Sequence, residues 1–262
     1  MKKLLLTFVA LALVAAGCPT SAPVANQPDS KTMAAVIERS VNENGLQGMY
    51  FVPSQREGKL PGLLVVHEWW GLNEQIKDEA RNLADKGYAV FAISMYGDEV
   101  ASDSKRAGEL ATAVRNNPAD AERQMKLALD FLEKQSEADA SRLGVVGWCF
   151  GGAMGIILAS SGDKRVKAEV VYYGTPITDT ERLKNISMPI LGHWGAEDQG
   201  IKVDAVRAFE KSLKDQGTPV EFHIYDGAGH AFANPTRSDS YRPEATATAW
   251  TRTLDFLAKN LK

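Results

Sequence analysis

From residue 61 onward the chain alternates between short apolar, β-branched runs and longer amphipathic ones, and this alternation constrains the fold more than any other feature. The runs PGLLVVHE (61–68), YAVFAIS (88–94), RLGVVGW (142–148), KAEVVYYG (167–174), MPILGHWG (188–195) and VEFHIYD (220–226) have strand length and are bounded by Gly, Pro or charge. Their middles are almost continuously hydrophobic, which suits strands covered on both faces, as in a parallel sheet. Between them, 73–87, 117–135, 151–162, 204–217 and 245–262 carry helical patterns. In the second of these, Met125, Leu129 and Leu132 share a face with Leu127 and Phe131 close by, while Glu122, Lys126, Asp130 and Glu133 fall largely on the other side. Gly87 and Gly217 stand where a helix ends in a left-handed residue. The alternation predicts one α/β domain, a doubly wound and mostly parallel sheet with helices on both faces. Segment 94–118 is the least regular insertion, placed where it could lie over a site.

A chain of 262 residues, 44% hydrophobic and 24% charged, is long enough to bury one sizeable core. The net charge of -3, with Lys and Arg scattered, provides no basic stripe for nucleic acid and no polybasic membrane patch. Residues 1–17 read as an export signal instead of fold: a basic MKK head, the apolar stretch LLLTFVALALVAA, too short to span a bilayer, then AAGC. That ending resembles the bacterial lipoprotein signal, in which cleavage leaves the cysteine, here Cys18, as a lipid-bearing N-terminus. A plain secretory signal is the alternative. Residues 18–32 are rich in Pro, Ser and Ala and read as a flexible tether, leaving 33–262 as the folded domain. The expected location is the bacterial cell envelope, lipid-anchored and facing the periplasm. Pro19, which is not an acidic retention residue, favours the outer over the inner membrane.

The cysteines are only two, Cys18 and Cys149. With Cys18 acylated, Cys149 is a solitary thiol in an oxidising compartment, explained by chemistry or by deep burial. It lies in GWCFG (147–151), between the strand 142–148 and the helix that follows. This is the G-x-nucleophile-x-G turn of α/β-hydrolases with Cys in place of Ser. Such a turn aims the sulfur over a helix N-terminus, whose free N–H groups favour a thiolate and a developing oxyanion, with the Phe150 amide as the first oxyanion donor. The turn further predicts an acid after a later strand and a histidine after the last one. Asp198 in GAEDQG and His230 in GAGHAF fill both places, His230 as general base and Asp198 orienting its ring. After the strand 61–68 comes HEWWGLN, whose Trp69 amide is the expected second oxyanion donor.

HEWWGLN, GWCFGG, GAEDQG and GAGHAF together resemble the dienelactone hydrolase family, over roughly residue 48 to the C-terminus. The resemblance implies the α/β-hydrolase fold, a Cys149-Asp198-His230 triad, and a role for Glu68 in contacting and activating the resting thiol. A carboxyl desolvated beside Trp69 and Trp70 would also have a raised pKa; a salt bridge to a nearby Arg is its alternative. The family's founding enzymes clamp the substrate carboxylate with two arginines, at positions that here read Asp98 and Asn234, with Arg237 a nearby substitute. An acidic Asp98 would repel a carboxylate. The expected substrate is therefore a small neutral ester, lactone or thioester, not dienelactone itself, held by Trp69, Trp70, Tyr96, Trp148 and Phe232, for which core packing is the alternative.

No cofactor and no protein partner are implied. His67, His193 and His223 lack the spacing of a zinc site, so no metal is expected. The functional expectation is an ester or lactone hydrolase acting through acylation of Cys149. A non-catalytic envelope lipoprotein that binds a small molecule on a hydrolase scaffold is the rival, disfavoured by the retained Asp-His pair. A thiol redox role lacks a resolving cysteine.

Overall fold

The computed structural model describes residues 35–262 together with Met1, so the export signal, the tether and Cys18 lie outside the described residues. Eight strands form one sheet in the order β1-β2-β4-β3-β5-β6-β7-β8. β3 (Leu60–Val66), β4 (Ala89–Ile93), β5 (Ala138–Trp148), β6 (Val166–Tyr172), β7 (Ile190–Gly195) and β8 (Val220–Tyr225) are the six expected strands, and all pair in parallel. The sequence pattern missed β1 (Val36–Glu43) and β2 (Leu46–Pro53), an antiparallel hairpin that adds to β4. β1 is an exposed edge strand on which only Val41 is buried, so it carries no apolar run to read.

The helices are α1 (Glu74–Asp85), α2 (Ser104–Arg115), α3 (Pro118–Lys134), α4 (Phe150–Ala159), the single turn α5 (Thr180–Leu183), α6 (Val203–Asp215) and α7 (Pro243–Leu261). α1 starts where the Asn73 side chain accepts the Ile76 N–H, buries Ile76, Ala80, Leu83 and Ala84, and is followed by Gly87 at φ 88°. α3 begins with Asn117 and Pro118 and buries Met125, Leu129 and Leu132, the face read from the sequence. α4 is apolar all round because it is buried all round. α2 and α5 were not expected; α2 lies within the irregular insertion.

Strand alternation shows the two layers. A side chain at Gly62 would meet Leu132 of α3, whereas Leu63 reaches toward Gly144, which faces Leu261 of α7. On β5, Val145 turns the other way and contacts Gly155 of α4. Thus α3 and α4 cover one face and α7 the other. The loops at the C-terminal ends of β3, β5, β6, β7 and β8 collect along one rim, the edge where open parallel sheets place their sites. Among the described residues no helix is long and apolar enough to cross a membrane.

Candidate active site

β5 ends at Trp148 and α4 begins at Phe150, so Cys149 alone makes the turn, at φ 54° and ψ −113°. A non-glycine residue held there is strained, and the surroundings must hold it. They do: the Cys149 N–H donates to the Tyr172 carbonyl at 2.9 Å, and its own carbonyl accepts from Ala153 at 3.1 Å. The flanking glycines are required by contact. A Cβ on Gly147 would sit 2.3 Å from the Gly151 carbonyl, and one on Gly151 would sit 2.1 Å from that of Val66. The second contact presses the start of α4 against the end of β3 and brings the Trp69 loop beside Phe150. Phe150 is the first residue of α4, so its N–H precedes the intrahelical ladder. The Trp69 N–H makes no hydrogen bond among the described residues.

His230 and Asp198 complete a line. His230 Nε2 is 3.1 Å from the Cys149 sulfur, and Nδ1 donates to Asp198 Oδ2 at 2.7 Å. Asp198 is buried, and its Oδ1 accepts the N–H groups of Gly200 (2.8 Å) and Ile201 (2.9 Å). Burial alone would raise the Asp198 carboxyl, but these donors and His230 outweigh it and hold the group below its ordinary range. Burial likewise opposes a charge on His230, yet the hydrogen bonds to Asp198 and Cys149 prevail and push its pKa up to about 10.

Glu68 is placed differently from the sequence expectation. It makes no hydrogen bond to Cys149 and no salt bridge among the described residues. Its Oε1 accepts the Tyr173 hydroxyl at 3.1 Å and its Oε2 the Asn234 amide at 2.8 Å. Burial dominates and raises its pKa, while these two donors act against the rise. Tyr173 stands at φ 37°, its ring edge-to-face with His230 at 5.2 Å. Glu68, Tyr173 and Asn234 therefore form a buried cluster supporting the His230 ring. Asn234, read above only as a lost arginine, is one of its pillars.

His67 is structural. Its Nε2 accepts the Met95 N–H at 3.0 Å, so the proton is on Nδ1, which donates to the Glu68 carbonyl at 2.5 Å. Burial lowers its pKa to about 4. His193 is buried between Tyr225 and Thr253, and His223 pairs with Glu221. Among the described residues no group of three or more His, Cys, Asp or Glu is positioned for a metal.

The line opens on a cavity of about 470 Å³ whose wall includes Phe150, Tyr173, Thr175, Arg115 and Arg242. None of the expected aromatics Trp69, Trp70, Tyr96, Trp148 and Phe232 lines it. Trp148 stacks on Tyr172 at 5.3 Å and faces a separate cavity. Phe232 is fully buried against Tyr173 and Tyr225. Tyr96 packs on His67 and Phe150, and Trp70 on Trp69, with Arg237 over its ring at 5.7 Å. Asp98 lines a third cavity and is not on the wall of this one. Arg237 is not on the wall either. Arg115 is, carried there by α2, with its guanidinium 5.6 Å from the Phe150 ring centroid and no ion-pair partner among the described residues.

The sequence model of the dienelactone hydrolase family matches residues 46–261. The chain belongs to the dienelactone hydrolase family. A protein of Bradyrhizobium named "Probable 2-oxo-3-(5-oxofuran-2-ylidene)propanoate lactonase" is 30% identical over 215 residues, covering 78% of this chain and 86% of that one. Protein usf of Aquifex pyrophilus is 30% identical over 223 residues, 84% of this chain and 96% of its own. Among solved structures, a dienelactone hydrolase-like promiscuous phosphotriesterase, P91, from metagenomic libraries superposes with a TM-score of 0.80 at 26% identity, covering 87% of this chain and all of that one. The dienelactone hydrolase fold is thus the one read from the strand and helix pattern, with the hairpin β1-β2 added at its edge.

Proposed function

We propose that this member of the dienelactone hydrolase family cleaves small carboxylic esters and lactones through an acyl-enzyme on Cys149. The observation that carries the reading is the unbroken line from sulfur to His230 to Asp198, at 3.1 and 2.7 Å, opening on a cavity. The sulfur adds to the carbonyl carbon, and the thiol proton resides on His230 Nε2. The N–H groups of Phe150 and Trp69 receive the oxyanion. Collapse breaks the carbonyl–oxygen bond and His230 returns the proton to the leaving oxygen, giving a thioester. Water, deprotonated by His230, then releases the acid and restores the thiol. With a lactone both products remain one hydroxy acid. Intact mass measured during turnover of p-nitrophenyl acetate tests this: an acetyl adduct on Cys149 should appear and decay. Turnover with no adduct at any time overturns the acyl-enzyme, and a folded protein that turns over neither esters nor lactones overturns the hydrolase.

Glu68 acts in this scheme by positioning His230 through Tyr173. Glu68→Gln should lower kcat by roughly 10- to 100-fold while KM moves little, since displacement of a reacting group by about 1 Å costs on that order. Steady-state kinetics at fixed pH decides it; an unchanged kcat removes Glu68 from the mechanism.

Arg115 supplies a positive edge to the cavity. Arg115→Ala should raise KM about 5- to 10-fold for a lactone bearing a carboxylate, a modest effect because the side chain is exposed to solvent. The variant should leave p-nitrophenyl acetate within about twofold, the scale of surface changes without a lost contact. Equal losses on both substrates would refute the assignment.

The amino-terminal pattern supports a further part of the proposal, that the hydrolase is exported and held in the envelope by acylated Cys18. Metabolic labelling with a clickable fatty acid, abolished by Cys18→Ser, is the expected result.

A further inference from the structure

On the α7 side of the sheet, behind the turn that holds Cys149, lies a second cavity of about 240 Å³. Its wall includes the rings of Trp148, Tyr172, Tyr241 and Trp250 and a single charged group, the carboxylate of Glu79 on α1; no lining residue is cationic. Trp148 and Tyr172 are buried and stacked on one another, giving a rigid floor, while Tyr241 and Trp250 are half-buried walls. One Glu79 oxygen accepts a long 3.3 Å hydrogen bond from Gln75, and the other has no partner among the described residues. Burial pushes this carboxyl up to about 7, with Gln75 acting against the rise and Asp78 and Glu68 adding to it, so Glu79 lacks a counter-charge.

Aromatic faces carry negative potential and attract cations, most of all when water is partly excluded. A carboxylate with one long hydrogen bond and no counter-charge, in a cavity lined by four aromatic side chains, has the complementarity of a cation site. The absence of a dense donor set and of clustered carboxylates disfavours a metal and favours an ion whose charge is spread over alkyl groups. We propose that this cavity binds a small organic ammonium ion of about the size of choline, with Glu79 as its counter-charge and Trp148, Tyr172, Tyr241 and Trp250 as its aromatic walls. The site does not depend on the hydrolase reading. It is nevertheless adjacent to the first cavity: Trp148 precedes Cys149, and in the segment 239–243 Ser240 and Arg242 line one cavity while Tyr241 and Pro243 line the other.

The test is a titration of the whole protein with choline chloride, read by tryptophan fluorescence against sodium chloride of equal ionic strength. A saturable change is expected. The uncharged isostere 3,3-dimethylbutan-1-ol should bind at least about 10-fold more weakly, the factor that one buried cation–aromatic and charge contact supplies. Glu79→Gln should remove that discrimination, and Trp250→Leu should weaken choline binding by a similar factor. Cys149→Ala should bind choline as the wild type does, which separates this site from hydrolysis. Co-sedimentation with phosphatidylcholine vesicles, lost in Glu79→Gln, would assign the ammonium group to a lipid headgroup. Choline binding without it would assign it to a free solute, and both results keep the site. Equal affinity for choline and the alcohol, or no saturable response to choline, overturns the proposal.

Discussion

Cys149→Ala, folded as the wild type by circular dichroism, should lose at least about 10⁴-fold in kcat/KM on p-nitrophenyl esters and lactones, and His230→Ala should lose a comparable amount. The size follows from the mechanism: without the sulfur no thioester forms, and without the imidazole the proton has no carrier. The sharper expectation concerns the pair. Because sulfur and imidazole act as one unit across 3.1 Å, the double variant should be hardly worse than either single one. Were Cys149 only a thiol filling a turn, its removal would cost stability and leave turnover in place. The pH profile adds an independent readout. His230 keeps its proton up to about pH 10, the proton it delivers to the leaving oxygen, so acylation should fall on the alkaline side near pH 10. A single limb near 6.5, unshifted, would mean that the Asp198 and Cys149 hydrogen bonds do not govern the ring.

The parts of this site that could be read in the sequence are those carried by chain order. A nucleophile turn between strand and helix, an acid after β7 and a histidine after β8 are positions in a string, and the sheet topology turns that order into proximity. The parallel strands β3, β4 and β7 were legible for a related reason, since burial on both faces leaves an apolar run that no exposed position interrupts. What failed depended on direction. Trp148 and Cys149 are neighbours in sequence, yet the strand ends between them, and one side chain turns to α7 while the other turns to the rim. The supporting contacts of Tyr173 and Asn234 with Glu68 join residues 105 and 166 positions apart, with no spacing rule to connect them. α2 escaped because only Ala107 and Ala111 are buried along it, too narrow an apolar face to show a helical period. Its function at the cavity, the placing of Arg115, was invisible for the same reason. The aromatic abundance that suggested an apolar substrate pocket belongs instead to the core and to the second cavity.

Glu169 lies in the middle of β6, between Val145 of β5 and Ile190 of β7, with its side chain directed at Gly155 of α4. It is 1% exposed and neither carboxyl oxygen has a hydrogen-bond partner among the described residues. Burial alone, with no nearby charge to offset it, moves its pKa from 4.5 up to about 8. The folded protein therefore holds this proton until about pH 8, whereas the unfolded chain releases it above 4.5. Folding is favoured most below 4.5 and loses stability as pH rises through that window, by about 1.4 kcal/mol per unit and about 5 kcal/mol in all. Glu169→Gln keeps the shape and, like the protonated acid, is neutral. The variant should match the wild type near pH 4.5 and exceed it by several kcal/mol at pH 8, a rise in Tm of about 10 °C for a domain of this size. Taking the difference between the two proteins at each pH isolates this residue, because Glu79 and His230 titrate alike in both. Denaturant unfolding at a series of pH values measures it. Parallel stability curves would mean that the Glu169 charge finds compensation in the folded state, and the carboxylate would then be ionised in the core at neutral pH.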